Sequence, residues 1–482
     1  MMDVKKETLK SFKWTALNSF GNRVVTFLLG IILARLLSPQ DFGVVGMTAI
    51  FFALASIMVD SGLSTALVRK KNMTIEDSST IFFFNIIVSS LCFVVLYFAS
   101  PYIADFFHTP ILVNIVRVSA LSMVIGAFGS VHWTLMSKNV NFKTPALVSF
   151  PVNITSGIVG VILAYMGFGP WSLVLQSLSA TTINAVVVWF ISPWRPKFIF
   201  SMKSFRELFG FSSNLVVNAI VDKFYNEGVG MVIGKFYSPA QLGYYSKGQG
   251  TAQLPSTFLY STVGNILFPI LSKIQDDDEK LIYVYSRYMR ILSMVIFFGM
   301  ILMTAVARPL TIFLYSDRWI PAIIFMQIFC LRYMLWHIHK INWDLLLVKG
   351  RSDWAFRKEV VNKIFNFSCL FAAISFGPVA ICCAGFVASV LNIVVNTYVA
   401  GKLFNFGFRK QFADFFPYIL YSAICCAPAW IISFLDWTPF LMLMVQVPLS
   451  CALYFSLLYF KKDQEFFELL KLLPIRKYLK KI

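Results

Sequence analysis

Apolar runs follow one another along almost the whole 482-residue chain, each about as long as a helix needs to cross a bilayer, roughly 20 residues. The pattern predicts fourteen spans, near 14–36, 43–66, 79–100, 111–135, 145–166, 171–192, 209–234, 250–271, 290–314, 321–347, 360–377, 379–403, 417–434 and 439–460. Breakers are expected to separate them at Ser38-Pro39, Pro101, Pro110, Gly169-Pro170, Pro193, Pro239, Pro321, Gly377-Pro378, Pro417 and Pro439, because proline cannot continue the backbone ladder of a helix. The runs are continuous and do not alternate, which excludes a closed β-barrel. The fold class is all-α: a polytopic membrane protein.

Polar positions between the runs set the orientation. The lead-in MMDVKKETLKSFK is basic and amphipathic and enters a full-length span directly, so it reads as a cytoplasmic N-terminus rather than a cleavable signal. Counting loops from there, most of the 42 basic residues fall on the inner side, and only Arg35, Lys235, Lys247, Arg308 and Arg318 on the outer. That is the positive-inside asymmetry, and it places both termini in the cytoplasm. The tail Gln464–Ile482 is basic and amphipathic and is expected to lie along the inner leaflet, drawn to anionic lipid.

Composition narrows the class further. The chain is 58% hydrophobic, 17% aromatic and 13% charged, with mean hydropathy +0.72, whereas soluble domains carry about 25% charge. Net charge is +19. In a soluble protein this would suggest nucleic acid, but the loop asymmetry accounts for it and no nucleic-acid partner is expected. The eight cysteines sit in apolar runs without ligand spacing and read as small buried hydrophobes. There is no phosphate-binding Walker motif. No cofactor or metal is expected.

A repeat organises the chain. At an offset of 200, Asn18, Gly30, Ser38, Pro39 and Gly43 recur as Asn218, Gly230, Ser238, Pro239 and Gly243, while Arg23 and Arg35 recur as Lys223 and Lys235. A second pair, Phe168-Gly169-Pro170 and Phe376-Gly377-Pro378, joins the fifth and sixth spans of each half. The repeat predicts two pseudo-symmetric six-span lobes, 1–200 and 201–412, followed by two spans in 413–460 and the tail 461–482. Six spans per half is even, so the copies are parallel.

The stretches IILARLLSPQDFG (31–43), DSGLSTALVRKKNMTIEDSS (60–79), VIGKFYSPAQLGYYSKG (232–248), LFPILSKIQDDDEKL (267–281) and LLVKGRSDWAFRKEVVNK (346–363) resemble the polysaccharide-transport branch of the multidrug/oligosaccharidyl-lipid/polysaccharide (MOP) exporters, above all the Wzx-type lipopolysaccharide and teichuronic-acid exporters. They span most of the first eleven predicted helices. The resemblance implies a two-lobed transporter with a central cavity and, as cargo, a lipid-linked oligosaccharide, usually on undecaprenyl diphosphate.

Charges at bilayer depth cost at least about 2.5–3.5 kcal/mol, so they face a cavity or a partner. Arg23 lies inside span 1, and Asp222, Lys223 and Glu227 inside span 7. Arg23 and Lys223 can offer cations to a diphosphate; against this, Lys223 can pair with Glu227 four residues on. In span 10, Arg332, Trp336, His339 and Trp343 share a helical face, a combination of cation and aromatics suited to a sugar-phosphate path. Lys340 pairing with Asp344 at the span's mouth is the plainer reading. His337 and His339, two apart, point to different faces and do not make a metal site. Asp60, Asp222 and Glu227 are candidate ion-coupling carboxylates, although Asp60 before Ser61-Gly62 also reads as a helix break. Arg117 is expected to snorkel, and Asp276–Glu279 to start a solvated helix.

The function expected is a non-enzymatic flippase of the bacterial inner membrane, serving surface-polysaccharide assembly by alternating access. Its partners would be a lipid-linked oligosaccharide, membrane lipids and other polysaccharide-assembly proteins. The rivals are a MATE-like cation-coupled drug exporter and a membrane-embedded glycan polymerase or glycosyltransferase.

Overall fold

The structure, a computed structural model, describes residues 21–70, 72–138 and 143–472. The lead-in 1–13, Asn18, Lys71 and the tail residues 473–482 lie outside the described residues. Among the described residues the regular structure is helical throughout. Eleven helices or helix runs among the described residues are long and apolar enough to cross a membrane. Three other predicted spans coincide with helices α1 (21–36), α9 (Met202–Phe236) and α10 (Pro239–Lys273).

The chain divides into two compact units, Met1–Gly243 and Tyr244–Ile482. In the first, α1 is followed by α2 (Pro39–Met47), α3 (Ala49–Asp60), α4 (Leu63–Arg69), α5 (Ile75–Phe107), α6 (Leu112–Lys138), α7 (Lys143–Tyr165) and α8 (Pro170–Ile191). α5 packs along α6, α6 and α7 pack on α8, and α3 and α4 lie against α9. In the second, α11 (Asp278–Ala305), α12 (Ala307–Tyr315), α13 (Ala322–Tyr333), α14 (Trp336–Val348), α15 (Ser352–Ala373), α16 (Pro378–Phe404), α17 (Phe408–Ile432), α18 (Pro439–Phe460) and α19 (Gln464–Leu472) follow. There α11 packs on α17, α15 on α16, and α17 on α18.

Helix starts follow the local chemistry. Ser38 and Asp41 form a reciprocal capping box at α2: Ser38 N–H donates to Asp41 Oδ2 at 2.8 Å and Asp41 N–H to Ser38 Oγ at 3.3 Å. At α10 the repeated serine does the same duty, with Gln241 N–H donating to Ser238 Oγ at 3.2 Å. Both helices open on proline, whose missing N–H costs nothing at that position. Gly169 and Gly377, the glycines of the second matched pair, both have positive φ, 55° and 104°, and both precede the N-terminal proline of a helix, a backbone that other residues adopt only with strain. Asp277 accepts from Lys280 N–H at 3.0 Å and caps α11, so the acidic run 276–279 does start a helix. Asp278 in its first turn pairs with Lys349.

The breakers at Pro101 and Pro417 need correction: both prolines lie inside helices, α5 and α17. At Pro101 the reason is visible. The carbonyl of Tyr97, left without its helical N–H, accepts from Ser100 Oγ at 2.7 Å and from Arg117 Nε at 3.5 Å. Arg117 also donates to Ser100 Oγ at 3.0 Å and sits 4.3 Å from the Tyr97 ring centroid. A neighbouring helix thus supplies the donor that proline removes, as membrane interiors require. The helix instead ends at His108, in the left-handed region at φ 51°.

The cysteines are free; Cys92, Cys330, Cys382, Cys425 and Cys426 are buried. The start of the tail is docked on protein. Glu465 of α19 lies 3.2 Å from Arg287 Nε and 2.7 Å from Arg290 Nη2 on α11, and Arg290 reaches Asp414 of α17 at 3.0 Å. Glu468 also pairs with Arg287, and Tyr418 donates to Asp463 at 2.9 Å.

Candidate functional site

Three groups of polar side chains lie within apolar helices, two in the first unit and one in the second. In the first group, Arg23 on α1 is exposed, as are Asp222 and Lys223 on α9. Lys223 Nζ stands 3.9 Å from Glu227 Oε1, one helical turn on. The carboxylate thus competes with any anionic ligand for the lysine. Asp60 is the last residue of α3 and is exposed. It is followed by Ser61 and Gly62, both in the left-handed region at φ 45° and 67°, which separate α3 from α4.

The second group belongs to the second unit. The face read across span 10 is carried by two consecutive helices, because the chain turns at Met334-Leu335. Arg332 therefore lies in the last turn of α13, while Trp336, His339 and Trp343 lie on α14. The Arg332 guanidinium covers the backbone of α16, with Nη1 3.0 Å from where a Cβ on Gly385 would stand. His339 binds Asn396 through Nδ1 at 2.8 Å and Ser389 through Nε2 at 2.9 Å, both on α16. Asn362 of α15 donates to Asn396 Oδ1 at 3.2 Å, and Asn392 of α16 to Asn366 Oδ1 at 3.1 Å. Lys358, 3% exposed, lies 5.2 Å from the Trp343 ring centroid. His337, fully buried, meets Ser293 of α11 at 2.9 Å; the two histidines have separate neighbours, as their spacing requires. Asn362, Asn392 and Asn396 of this row are buried. Interhelical hydrogen bonds in lipid average about 0.6 kcal/mol, and four of them hold α14, α15 and α16 in register.

The third group was not among the residues singled out from sequence. α6, α7 and α8 flank an open cavity of about 360 Å³. Gly126, Gly129, Ala180 and Ala185 leave the room, and Ser130, Trp133, Asn153, Thr181 and Asn184 line it. Trp133 Nε1 donates to Asn184 Oδ1 at 2.6 Å. Asn153 donates to Asn22 Oδ1 of α1 at 3.1 Å. Behind Ser130, the buried Asn85 donates to its Oγ at 3.0 Å, while Asn85 Oδ1 has no hydrogen-bond partner among the described residues. A search by charge passes over such residues. The signal available was amide and hydroxyl side chains recurring beside glycine and alanine in runs otherwise apolar.

Comparison with known proteins places this architecture. Residues 32–324 match the family described as "Polysaccharide biosynthesis protein". The chain is 23% identical over 436 residues to the teichuronic acid biosynthesis protein TuaB of Bacillus subtilis, covering 90% of each chain. It is 21% identical over 413 residues to the lipopolysaccharide biosynthesis protein WzxC of Escherichia coli, covering 83% of this chain and 82% of the other. The fold is similar to that of the lipid II flippase MurJ in an inward closed conformation, with TM-score 0.79 and 17% identity over 93% of this chain and 99% of that one. The match covers more than half of a multi-pass helical chain with a MurJ-like fold, and the chain belongs to the polysaccharide biosynthesis protein family.

Proposed function

We propose that this chain is a flippase of the bacterial inner membrane that carries a lipid-linked oligosaccharide, on an undecaprenyl-diphosphate-type carrier, from the cytoplasmic to the outer leaflet. It catalyses no covalent step. The observation that carries the reading is the sign of the charges embedded in the helices: Arg23, Lys223 and Arg332 lie within apolar runs, with Asp222 and Glu227 offsetting Lys223. Cations at that depth suit a diphosphate, and the glycan and its head-group would cross while the lipid tail stays in the bilayer. Support also comes from the named roles of the relatives in teichuronic acid and lipopolysaccharide biosynthesis. The lobes would alternate in access, with the Ser-Pro ends of the repeated helices at the outer gate. Arg23 would hold the diphosphate; Lys223, Arg332, Trp336 and His339 would line or shape the path; and Asp60, Asp222 or Glu227 would couple an ion.

Depletion of the protein in a strain without a paralogue tests this. Lipid-linked glycan should accumulate on the inner leaflet and vanish from the outer one. Unchanged outer-leaflet levels would sink the reading. Efflux of a cationic dye that collapses in Asp222→Asn would point instead to a drug exporter, and glycan chain growth by the purified protein to an enzyme.

A further inference from the structure

We infer that the cavity between α6, α7 and α8 is a binding subsite for a neutral sugar ring of the cargo, with Trp133 as its platform. This rests on the flippase reading for its ligand but on separate residues. The room, about 360 Å³, is at the small end of ligand pockets, roughly 300–1,000 Å³, and admits a sugar ring rather than a lipid chain or a whole oligosaccharide. Its lining carries no charged side chain, so neither a diphosphate nor a drug cation is what it is built for. It combines one indole with hydroxyls and carboxamides; Ser130 is used up, donating to the Ala127 carbonyl at 3.0 Å and accepting from Asn85 at 3.0 Å, but Asn184, Asn153 and Thr181 are only half committed. Asn184 accepts from Trp133 through Oδ1, which leaves its NH2 to donate. Asn153 donates to Asn22, which leaves its Oδ1 to accept. Thr181 gives its proton to the Ser177 carbonyl at 3.0 Å and retains lone pairs.

Those are the needs of a pyranose, whose hydroxyls both donate and accept and whose C–H face packs on an aromatic ring. The indole is held in place by its bond to Asn184, so little freedom is lost on binding. The glycines and alanines matter as much as the polar groups. On Gly126 an added Cβ would meet only Thr181 Cγ2 at 3.5 Å, an ordinary contact, so no steric necessity in the helix packing demands glycine there. A contrast within the molecule strengthens the assignment: the row around His339 uses similar side chains, but Asn362, Ser389, Asn392 and Asn396 there are buried.

The test uses the full chain in lipid nanodiscs. The probe is the oligosaccharide released by mild acid from the host's own lipid-linked pool, which has neither lipid nor diphosphate. Titration calorimetry should show saturable binding to the wild type, weakened about ten-fold in Trp133→Ala and in Asn184→Ala. Trp133→Phe should bind within about three-fold of wild type, because the platform remains, and thermal unfolding of each variant should show that it is folded. Gly126→Leu, which fills the cavity, should abolish binding. Equal binding by Trp133→Ala, or no saturable binding by the wild type, overturns the subsite. The depletion experiment decides the flippase reading separately: a leaflet phenotype without glycan binding removes the pocket alone, and binding without a leaflet phenotype leaves a sugar site in a protein of another function.

Discussion

The two copies of the repeated stretch are equal at one end and unequal in the middle. At the Ser-Pro end they meet reciprocally: a Cβ on Gly43 would fall 1.6 Å from the Pro239 carbonyl oxygen, and one on Gly243 would fall 1.9 Å from the Pro39 carbonyl oxygen. Each copy's glycine is seated on the other copy's proline. Midway along the first helix of each copy the match fails. Lys223 has Glu227 on its own helix at 3.9 Å, whereas the sequence around Arg23 holds no acidic residue one turn away in either direction. Identity at offset 200 therefore has two meanings. At Gly43 and Gly243 it records a backbone contact that neither copy can change alone. Where the residue is basic, similarity conceals a difference in electrostatics.

The largest effect is expected at the glycines. Gly43→Ala and Gly243→Ala each place a methyl group into a carbonyl, and overpacking of that kind costs about 1–3 kcal/mol or more. Both should lower the thermal unfolding temperature and reduce glycan transport by at least about ten-fold. The reciprocity demands comparable losses, so a neutral Gly243→Ala beside a damaging Gly43→Ala would break the comparison. Next comes the basic pair. Arg23→Ala should abolish the appearance of lipid-linked glycan on the outer leaflet, and Lys223→Ala should have the milder phenotype, because its charge is already shared. The reverse order counts against Arg23 as the cation that holds the diphosphate.

A smaller effect tests the reading that tightly bonded polar groups in the second unit are structural. Asn342 and Gln411 are both buried and exchange amide hydrogen bonds at 2.9 and 3.1 Å. Gln411→Ala should destabilise by about 1–3 kcal/mol, by leaving the Asn342 amide unsatisfied. The double replacement Asn342→Leu with Gln411→Leu should recover much of that, as read by thermal unfolding. Full recovery of stability with loss of transport would show that this pair is more than structural. The smallest effect is at the caps. Ser38→Ala removes a reciprocal box and should cost about 1 kcal/mol; Ser238→Ala should cost less, since a neutral Gln241 stands where the first copy has Asp41.

The helical class, the approximate spans, the repeat and the family were legible in the chain itself. Bilayer crossing imposes a length and a hydrophobicity on every segment, and backbone hydrogen bonding leaves only the helix for continuous apolar runs. Cap chemistry is also local, so Ser38, Ser238, Gly169 and Gly377 could be read in place. Pro101 shows the limit. Whether a proline ends a membrane helix depends on whether the freed carbonyl finds another donor; Ser100 supplies one from the same helix, and Arg117 of α6 a second that only packing brings there.

The functional residues divide in the same way. Charges in apolar runs announce themselves, because their cost is intrinsic to the residue; Arg23, Lys223 and Arg332 were visible for that reason. The sequence by itself determined a membrane-spanning, two-copy helical chain with cations set inside it. Only the tertiary structure decided which polar groups are used up and which remain for a ligand. His339 with Asn396, and Trp133 beside an open volume, have the same chemistry on paper. Their difference is the space left by Gly126, Gly129, Ala180 and Ala185, and empty volume belongs to the packing of several helices rather than to any residue's identity.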